Sequence, residues 1–203
     1  MFELLTVCTG NICRSPLAAQ LLQTRLAPLH PTVTSAGTRG LDAVPMTVEA
    51  AHLAQHLGVS AELSAAHRSR FLTEADLVSP DLILTMTRKH RRAVAELAPS
   101  RMRQTFTVRE FARITAAMGD RMLLAAASEG GDDPRARVRM VGVAAASQRG
   151  LAPAPSAPEE DDVIDPYRKP WEVYQQSAAQ LLPAVVEVVR VLWLTASPAA
   201  PGR

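Results

Sequence analysis

Nearly continuous apolar runs mark the predicted strands of this chain. Phe2 to Val7 is one such run, and it is closed by a turn that contains Gly10. The run DLILTM at Asp81 to Met86 is the second. Nearly continuous apolar character over this length is typical of strands in a parallel sheet that is covered on both faces. Shorter strands are predicted at Thr32 to Ser35 and at Gln104 to Val108.

Helices are predicted between these strands, because apolar residues recur there at helical spacing. Gly58 and Pro99 each follow such a segment and supply the expected stop signals. Elements of the two kinds therefore alternate, which predicts an α/β fold with an open parallel sheet of about four strands and helices on both faces. The predicted helices span Pro16 to Leu26, Thr47 to Leu57, Arg88 to Leu97 and Pro170 to Leu194.

The segment from Thr115 to Glu160 has a different pattern, in which alanine-rich pieces alternate with GGDDP and APAPSAPEEDD. We interpret it as an insertion whose first part forms one or two helices, and we expect a mobile linker at Leu151 to Asp162. The chain is then a single domain over residues 1–194, with a partly flexible insertion at about 115–160 and a disordered tail at 195–203. Since apolar content looks low there, removal of about Gly130 to Pro158 is expected to leave the fold largely intact.

Length and charge narrow the class of function. A chain of 203 residues suits one domain, and 22 Lys plus Arg against 20 Asp plus Glu give a net charge of +2. The basic residues are spread without interleaved aromatic residues, so a nucleic-acid partner is not expected. The chain does not begin with a basic segment followed by a long apolar run. Its longest apolar stretch, Leu181 to Leu194, is interrupted by Pro183, Glu187 and Arg190. Neither a signal peptide nor a membrane span is therefore expected.

Both cysteines, Cys8 and Cys13, lie in the segment CTGNICRSP, where a strand ends and a helix begins. Two cysteines so close together favour chemistry in a reducing cytoplasm over a disulfide framework. At such a junction backbone N–H groups converge into a cradle that fits a tetrahedral phosphate. A cysteine at its mouth, beside a guanidinium, is expected to be a thiolate nucleophile. The alternative is that Cys8 is only a small buried residue at a strand end.

The neighbours of Cys8 have the chemistry that this loop requires. Arg14 offers a planar fork for two phosphoryl oxygens, and Ser15 can donate a hydrogen bond to the thiolate. Gly10 is expected to adopt a conformation that a Cβ would obstruct, and the Asn11 amide can tie the loop to a neighbouring segment. The predicted phosphate-binding loop is completed by Thr9, Ile12 and Cys13.

This loop near the N-terminus resembles the signature of the low-molecular-weight protein-tyrosine phosphatases. Similar to the same family are SAGT at Ser35 to Thr38, HRSR at His67 to Arg70, and DPY at Asp165 to Tyr167. The stretches DLILTMTRKH and DPYRKPWEVY resemble its bacterial branch, which is paired with tyrosine kinases of capsule and exopolysaccharide assembly. The resemblance covers most of residues 1–114 and 161–194, and the segment between them departs from the family pattern.

The resemblance implies a phosphotyrosine phosphatase I-like fold, a phosphocysteine intermediate, and neither metal nor other cofactor. Asp165 matches the general acid, which would protonate the leaving phenolate and later activate water. From the residues alone, Asp165 fits equally well in a solvated acidic run with Asp161 and Asp162. The implied substrates are phosphotyrosine proteins, including a bacterial tyrosine kinase, for a cytoplasmic enzyme that is a monomer or weak dimer.

Further site residues are implied by the same resemblance. Tyr167 would stack on the substrate ring as one pocket wall, and Leu41 would stand on the other side, where family members often carry an aromatic residue. Ser35 would support the loop, and Cys13 would trap an oxidised Cys8 as a reversible disulfide. Each also has a plain alternative, namely core packing for Tyr167, an ordinary strand-end serine for Ser35, and a passive loop residue for Cys13.

Other functions are possible on the same fold. An arsenate reductase coupled to thioredoxin needs cysteines beyond the two present, and a phosphoarginine phosphatase favours threonine where this chain has Ile12. An inactive phosphotyrosine-binding module would be expected to have lost Cys8, Arg14 or Asp165, all of which are present. Several histidines show no spacing that suggests a metal site and are predicted to be surface or packing residues. These are His52, His56, His67 and His90.

Overall fold

The computed structural model describes residues 1–39 and 42–196. Within them four parallel strands form one sheet in the order β2-β1-β3-β4. The predicted open parallel sheet is therefore confirmed, with each predicted strand within two residues of its place. The strands are β1 (Glu3–Cys8), β2 (Thr32–Gly37), β3 (Leu82–Thr85) and β4 (Thr105–Thr107).

Helices cover both faces of this sheet, and the four predicted helices are all present. A short helix after Ser60 was not predicted; the Ser60 side chain caps it by accepting a hydrogen bond from the N–H of Leu63. Val108 belongs to a helix rather than to β4, because Thr107 and Glu110 form a capping box that begins the helix there. The helices are α1 (Arg14–Arg25), α2 (Val48–His56), α3 (Ala61–Ala66), α4 (Arg88–Leu97), α5 (Val108–Ser128), α6 (Pro134–Ser147) and α7 (Trp171–Ala196).

Alternate residues of the strands enter two separate hydrophobic cores. Leu4 and Leu84 face the larger core, which α1, α2, α5, α6 and α7 complete. Leu5 and Ile83 face the smaller one, together with Val94 of α4. Because side chains alternate across a strand, a run needs apolar residues on both of its faces to fill both cores.

The segment predicted to be a partly flexible insertion contains the helices expected in its first part, in α5 and α6, and contributes to the larger core. Val138, Val141 and Ala145 of α6 are buried there, so the prediction of low apolar content between residues 130 and 158 is wrong. The buried carboxylate of Asp81 also ties α6 to the sheet, since Arg139 lies 2.6 Å from it in an ion pair. Removal of this segment would take apolar side chains out of the core, which argues against the intact fold expected from the sequence.

The final helix, α7, is long and apolar enough to cross a membrane by length and composition alone. One apolar side of this helix packs in the protein interior. Its residues Leu181, Val185, Val188 and Leu192 are buried in the larger core. The helix continues through Thr195 and Ala196, which the sequence assigned to a disordered tail. Residues 197–203 of that predicted tail, and Leu41 of the predicted pocket wall, lie outside the described residues.

Candidate active site

The predicted phosphate-binding loop lies at the carboxyl end of β1, between β2 and β3. The strand that follows β1 in the chain lies on one side of it, and the next strand, β3, lies on its other side. Open α/β sheets bind ligands in the crevice at such a switch point. The backbone holds the loop on two sides, because Thr38 N–H donates to Cys8 O at 2.9 Å and Thr47 N–H donates to Ile12 O at 2.9 Å. Cys13 precedes the first residue of α1, so the loop leads directly into a helix N-terminus.

Asn11 organises the loop from within. Its φ of 55° places it in the left-handed region, and its buried side chain stabilises this unusual turn. The amide Nδ2 donates to Ser15 Oγ at 3.0 Å and to Ser35 Oγ at 2.8 Å. Its Oδ1 accepts from the N–H of Arg70 at 3.0 Å. The structure thus places Ser35 against Asn11, in the position implied by the resemblance.

The close backbone approach in this loop occurs at Gly37 and not at Gly10. A Cβ on Gly10 would only make an ordinary contact with Ile12 at 3.5 Å, so the predicted obstruction there is wrong. A Cβ on Gly37 would lie 2.6 Å from the carbonyl oxygen of Thr9, which is closer than real side chains come. The end of β2 therefore requires glycine for the loop to pack against it.

Cys8 is a free, buried cysteine whose sulfur faces hydrogen-bond donors. Ser15 Oγ donates to Cys8 Sγ at 3.0 Å, and the N–H of Asn11 donates to it at 3.3 Å. Donors on two sides stabilise negative charge on sulfur, which is the form required for nucleophilic attack. The predicted contact from Ser15 is present.

Arg14 connects the loop to the opposite side of the site. Its Nη1 donates to Val163 O at 3.0 Å, and its Nη2 lies 2.6 Å from Asp165 Oδ2 in an ion pair. Nη2 also donates a long bond of 3.4 Å to Thr9 Oγ1. Its Nε is buried and has no hydrogen-bond partner among the described residues. The guanidinium is therefore fixed at one end and keeps a buried donor for an anion.

Cys8, Arg14 and Asp165 line one cavity of about 320 Å³. Ile12 and Tyr167 form apolar parts of its wall. Half of the Asp165 side-chain surface is exposed, so this side chain is accessible from solvent. Residues from both ends of the chain thus meet at one site that is large enough for a phosphorylated aromatic ring.

Asp161 and Asp162, the other acids of the same stretch, are engaged elsewhere. Asp161 forms an ion pair with Arg113 at 2.8 Å. Asp162 accepts from the N–H of Arg88 at 2.8 Å and forms an ion pair with its guanidinium. These contacts anchor the segment that carries Asp165 to α4 and α5 and leave Asp165 as the acid that pairs with Arg14.

Two histidines predicted to be surface or packing residues instead contact the phosphate-binding loop. His67 Nε2 lies 2.7 Å from Asn11 O. His90 is buried, with Nε2 2.9 Å from Thr9 Oγ1 and Nδ1 2.9 Å from Thr87 Oγ1. These bonds suit a neutral His90 ring that accepts at one nitrogen and donates at the other. Local spacing does not reveal these contacts, because the partners lie 56 and 81 positions away along the chain. The resemblance of HRSR and DLILTMTRKH to the family was the available signal, since these segments contain the two histidines.

Burial, aided by the nearby charge of Arg14, lowers the pKa of His90 to about 4. Between pH 6.5 and 4 the unfolded chain binds a proton that the folded site rejects, so stability should fall as pH falls through this range. The expected loss from His90 is about 2 kcal/mol between pH 7 and pH 5. Chemical denaturation of the wild type and of His90→Gln at both pH values measures it. Equal pH slopes for the two proteins would contradict this assignment.

Cys13 lies beside the site in a less polar environment. Its sulfur is 3.6 Å from Thr47 Oγ1 and 3.9 Å from the hydroxyl of Tyr174. Burial raises the pKa of this thiol to about 11, so it is neutral at physiological pH. Cys13 is thus distinguished from Cys8 by its surroundings, and its proposed reaction with an oxidised Cys8 stays a prediction.

Comparison with known proteins agrees with this geometry. The family model described as low molecular weight phosphotyrosine protein phosphatase matches residues 3–122. The low molecular weight protein-tyrosine-phosphatase Etp of Escherichia coli is 44% identical over 97 residues, which cover 48% of this chain and 62% of Etp. The chain thus matches less than two thirds of that relative's length.

Solved structures of similar proteins share the fold over nearly the whole chain. The YwlE arginine phosphatase from Geobacillus stearothermophilus superposes with a TM-score of 0.66 at 25% identity, over 95% of this chain and 94% of its own. A low molecular weight protein tyrosine phosphatase from T. tengcongensis gives a TM-score of 0.64 at 26% identity, over 94% and 99% of the two chains. The likeness therefore includes proteins named for two different phosphoamino acids.

Proposed function

The chain belongs to the low molecular weight phosphotyrosine protein phosphatase family, and from this premise we propose that it hydrolyses phosphotyrosine in proteins through a phosphocysteine intermediate. The observation that carries the proposal is the shared cavity of Cys8, Arg14 and Asp165. A nucleophile, an anion clamp and an acid in one cavity are the groups that this reaction requires.

In the first step the Cys8 sulfur attacks phosphorus, and the bond from phosphorus to the phenolic oxygen breaks. Protonated Asp165 gives its proton to that oxygen, so tyrosine leaves as the neutral phenol. In the second step water attacks the phosphocysteine while the Asp165 carboxylate takes a proton from it. The phosphorus–sulfur bond then breaks, which restores the Cys8 thiolate and releases inorganic phosphate.

Arg14 is the proposed phosphate clamp. Its buried Nε has no hydrogen-bond partner among the described residues, and the neighbouring Nη2 contacts the half-exposed Asp165. Nε and Nη2 together form the edge of a guanidinium that binds two oxygens of one anion. Phosphoryl oxygens that bind this edge would compete with the Asp165 carboxylate and leave it beside the departing phenolic oxygen.

Phosphotyrosine is favoured over phosphoarginine by the walls of the cavity. The apolar side chain of Ile12 and the ring of Tyr167 line it, and both suit an aromatic leaving group. Tyr167 is therefore proposed as the stacking wall. Hydrolysis of phosphoarginine is the second candidate, because one similar structure is an arginine phosphatase.

Metal-free assays with a phosphotyrosine peptide and a phosphoarginine peptide of matched sequence distinguish these candidates. We expect kcat/KM to be higher for the phosphotyrosine peptide than for the phosphoarginine peptide. Ile12→Thr should lower the ratio of the two kcat/KM values by roughly tenfold, because removing apolar contact costs about 1–3 kcal/mol. Ile12→Val, which keeps an apolar wall, is the matched control. Preference for phosphoarginine in the wild type would assign the second candidate instead.

The proposed substrates are tyrosine-phosphorylated proteins of bacterial exopolysaccharide assembly, including a tyrosine kinase. Support comes from the segments DLILTMTRKH and DPYRKPWEVY, which resemble that branch of the family. Two free cysteines at the site support a reducing, cytoplasmic location. A phosphotyrosine proteome compared with and without the enzyme would identify the substrates.

A further inference from the structure

A second cavity of about 600 Å³ adjoins the one that contains Cys8. Both cavities are lined by Thr9, Arg14, Arg39 and Asp165, so a peptide whose phosphate lies on the loop would reach the second one. Arg39 is thus shared by the two cavities, whereas Lys89 lines only the second one. The main chain of Arg39 is fixed to the loop, because its N–H donates to Thr9 O at 2.9 Å.

The charges in the second cavity do not balance. Arg14 and Asp165 pair with each other, and Asp162 pairs with Arg88. Arg39 and Lys89 are exposed, and neither forms an ion pair with any described residue. Two positive charges are thus left over in a cavity beside the phosphate-binding loop.

Other arginines close to the acid loop are already neutralised. Arg88 contacts Glu159 as well as Asp162, and Arg113 contacts Asp161. These ion pairs hold this part of the fold together and neutralise the positive charges of the two arginines. The charges of Arg39 and Lys89 have no such structural partner, and a bound anion would supply one.

We propose that this second cavity binds an acidic group of the substrate, a side-chain carboxylate or a second phosphate, close in sequence to the phosphotyrosine. The inference rests on the proposed function and names the class of peptide that the site prefers. Each ion pair between an exposed cation of the enzyme and a carboxylate of the peptide is expected to raise kcat/KM by a factor of up to about five. Two such pairs predict a preference of roughly three- to tenfold in kcat/KM for acidic over neutral flanking residues.

The test uses phosphotyrosine peptides of one sequence in which the residues on either side of the phosphotyrosine are Gln, Glu or phosphoserine. We expect kcat/KM to rise from the Gln peptide to the Glu peptide, and to rise further with phosphoserine, which carries more charge. Added salt should reduce the preference, because exposed charges are screened. A higher rate with phosphoserine alone would assign the cavity to a second phosphate, and equal gains would assign it to acidic groups in general.

Lys89→Glu should abolish or reverse the preference while hydrolysis of the Gln peptide stays unchanged, because Lys89 lines only the second cavity. Arg92→Glu is the matched control, since it makes the same change in charge one turn away on α4, where Arg92 pairs with Glu96. Loss of the preference in Lys89→Glu but not in Arg92→Glu supports the inference.

The outcomes separate this inference from the proposed function. Equal hydrolysis of the Gln and Glu peptides by the wild type would overturn the acidic subsite and leave the phosphatase activity standing. An unchanged preference in Lys89→Glu would also overturn it. Absence of hydrolysis of every phosphotyrosine peptide would instead contradict the proposed function itself.

Discussion

Replacing the nucleophile by Cys8→Ser is expected to abolish turnover of every phosphate ester while phosphate binding persists. A serine hydroxyl keeps its proton at neutral pH, so the attacking group is lost, and losses of a nucleophile reach about 10⁴-fold or more in kcat. The anion cradle does not depend on sulfur, because Arg14 is held by Val163 O and Asn11 is held by Ser35. Steady-state kinetics with an aryl phosphate and calorimetric titration with inorganic phosphate measure the two properties.

Cys13→Ser is the matched control for this experiment. It makes the same atomic change at the other cysteine, whose pKa is raised to about 11 by burial. That neutral thiol is not expected to attack phosphorus, so activity should fall by less than about tenfold. More than trace turnover in Cys8→Ser, or equal losses in the two variants, would remove Cys8 from the mechanism.

The phosphate-binding loop could be predicted from the sequence because its parts are contiguous. Nine successive residues from Cys8 to Pro16 contain the nucleophile, the arginine and the serine that contacts sulfur. The residues that support the loop are distant from it in the sequence. His90 and Gly37 approach Thr9 only once the chain has folded. Spacing alone does not indicate that either residue meets the loop, and for Gly37 the indication comes from the resemblance of SAGT to the family pattern.

A helix was predicted in the region of α6, and its burial in the core was also predictable from the spacing of its apolar residues. Val138, Val141 and Ala145 lie three and four positions apart, which places them on one helical face. The many alanines and the nearby GGDDP and proline-rich stretches obscured this stripe and suggested an insertion of little apolar content. The buried Asp81 that pairs with Arg139 could not be predicted, because ion pairs between distant segments have no local pattern.

The effect of Asp165→Asn should depend strongly on the leaving group. The amide keeps the size of the carboxyl group but has no proton to give, so the leaving oxygen must depart as an anion. Tyrosine is a poor leaving group in that form, and we expect kcat/KM, which reports the step in which the phenol leaves, to fall by about 10²–10⁴-fold for a phosphotyrosine peptide. A nitrophenolate departs unprotonated, so the loss with nitrophenyl phosphate should be below about tenfold.

The other acids of this segment provide matched controls. Asp161→Asn and Asp162→Asn make the same change at carboxylates that pair with Arg113 and Arg88. They are expected to weaken the anchoring of the segment and to lower the rates for the two leaving groups by similar factors. A selective loss with phosphotyrosine therefore distinguishes the acid from a residue that only positions it.

Equal losses in kcat/KM for the two leaving groups would exclude Asp165 as the acid. The ion pairs of Asp161 and Asp162 would then have to open for either residue to take its place.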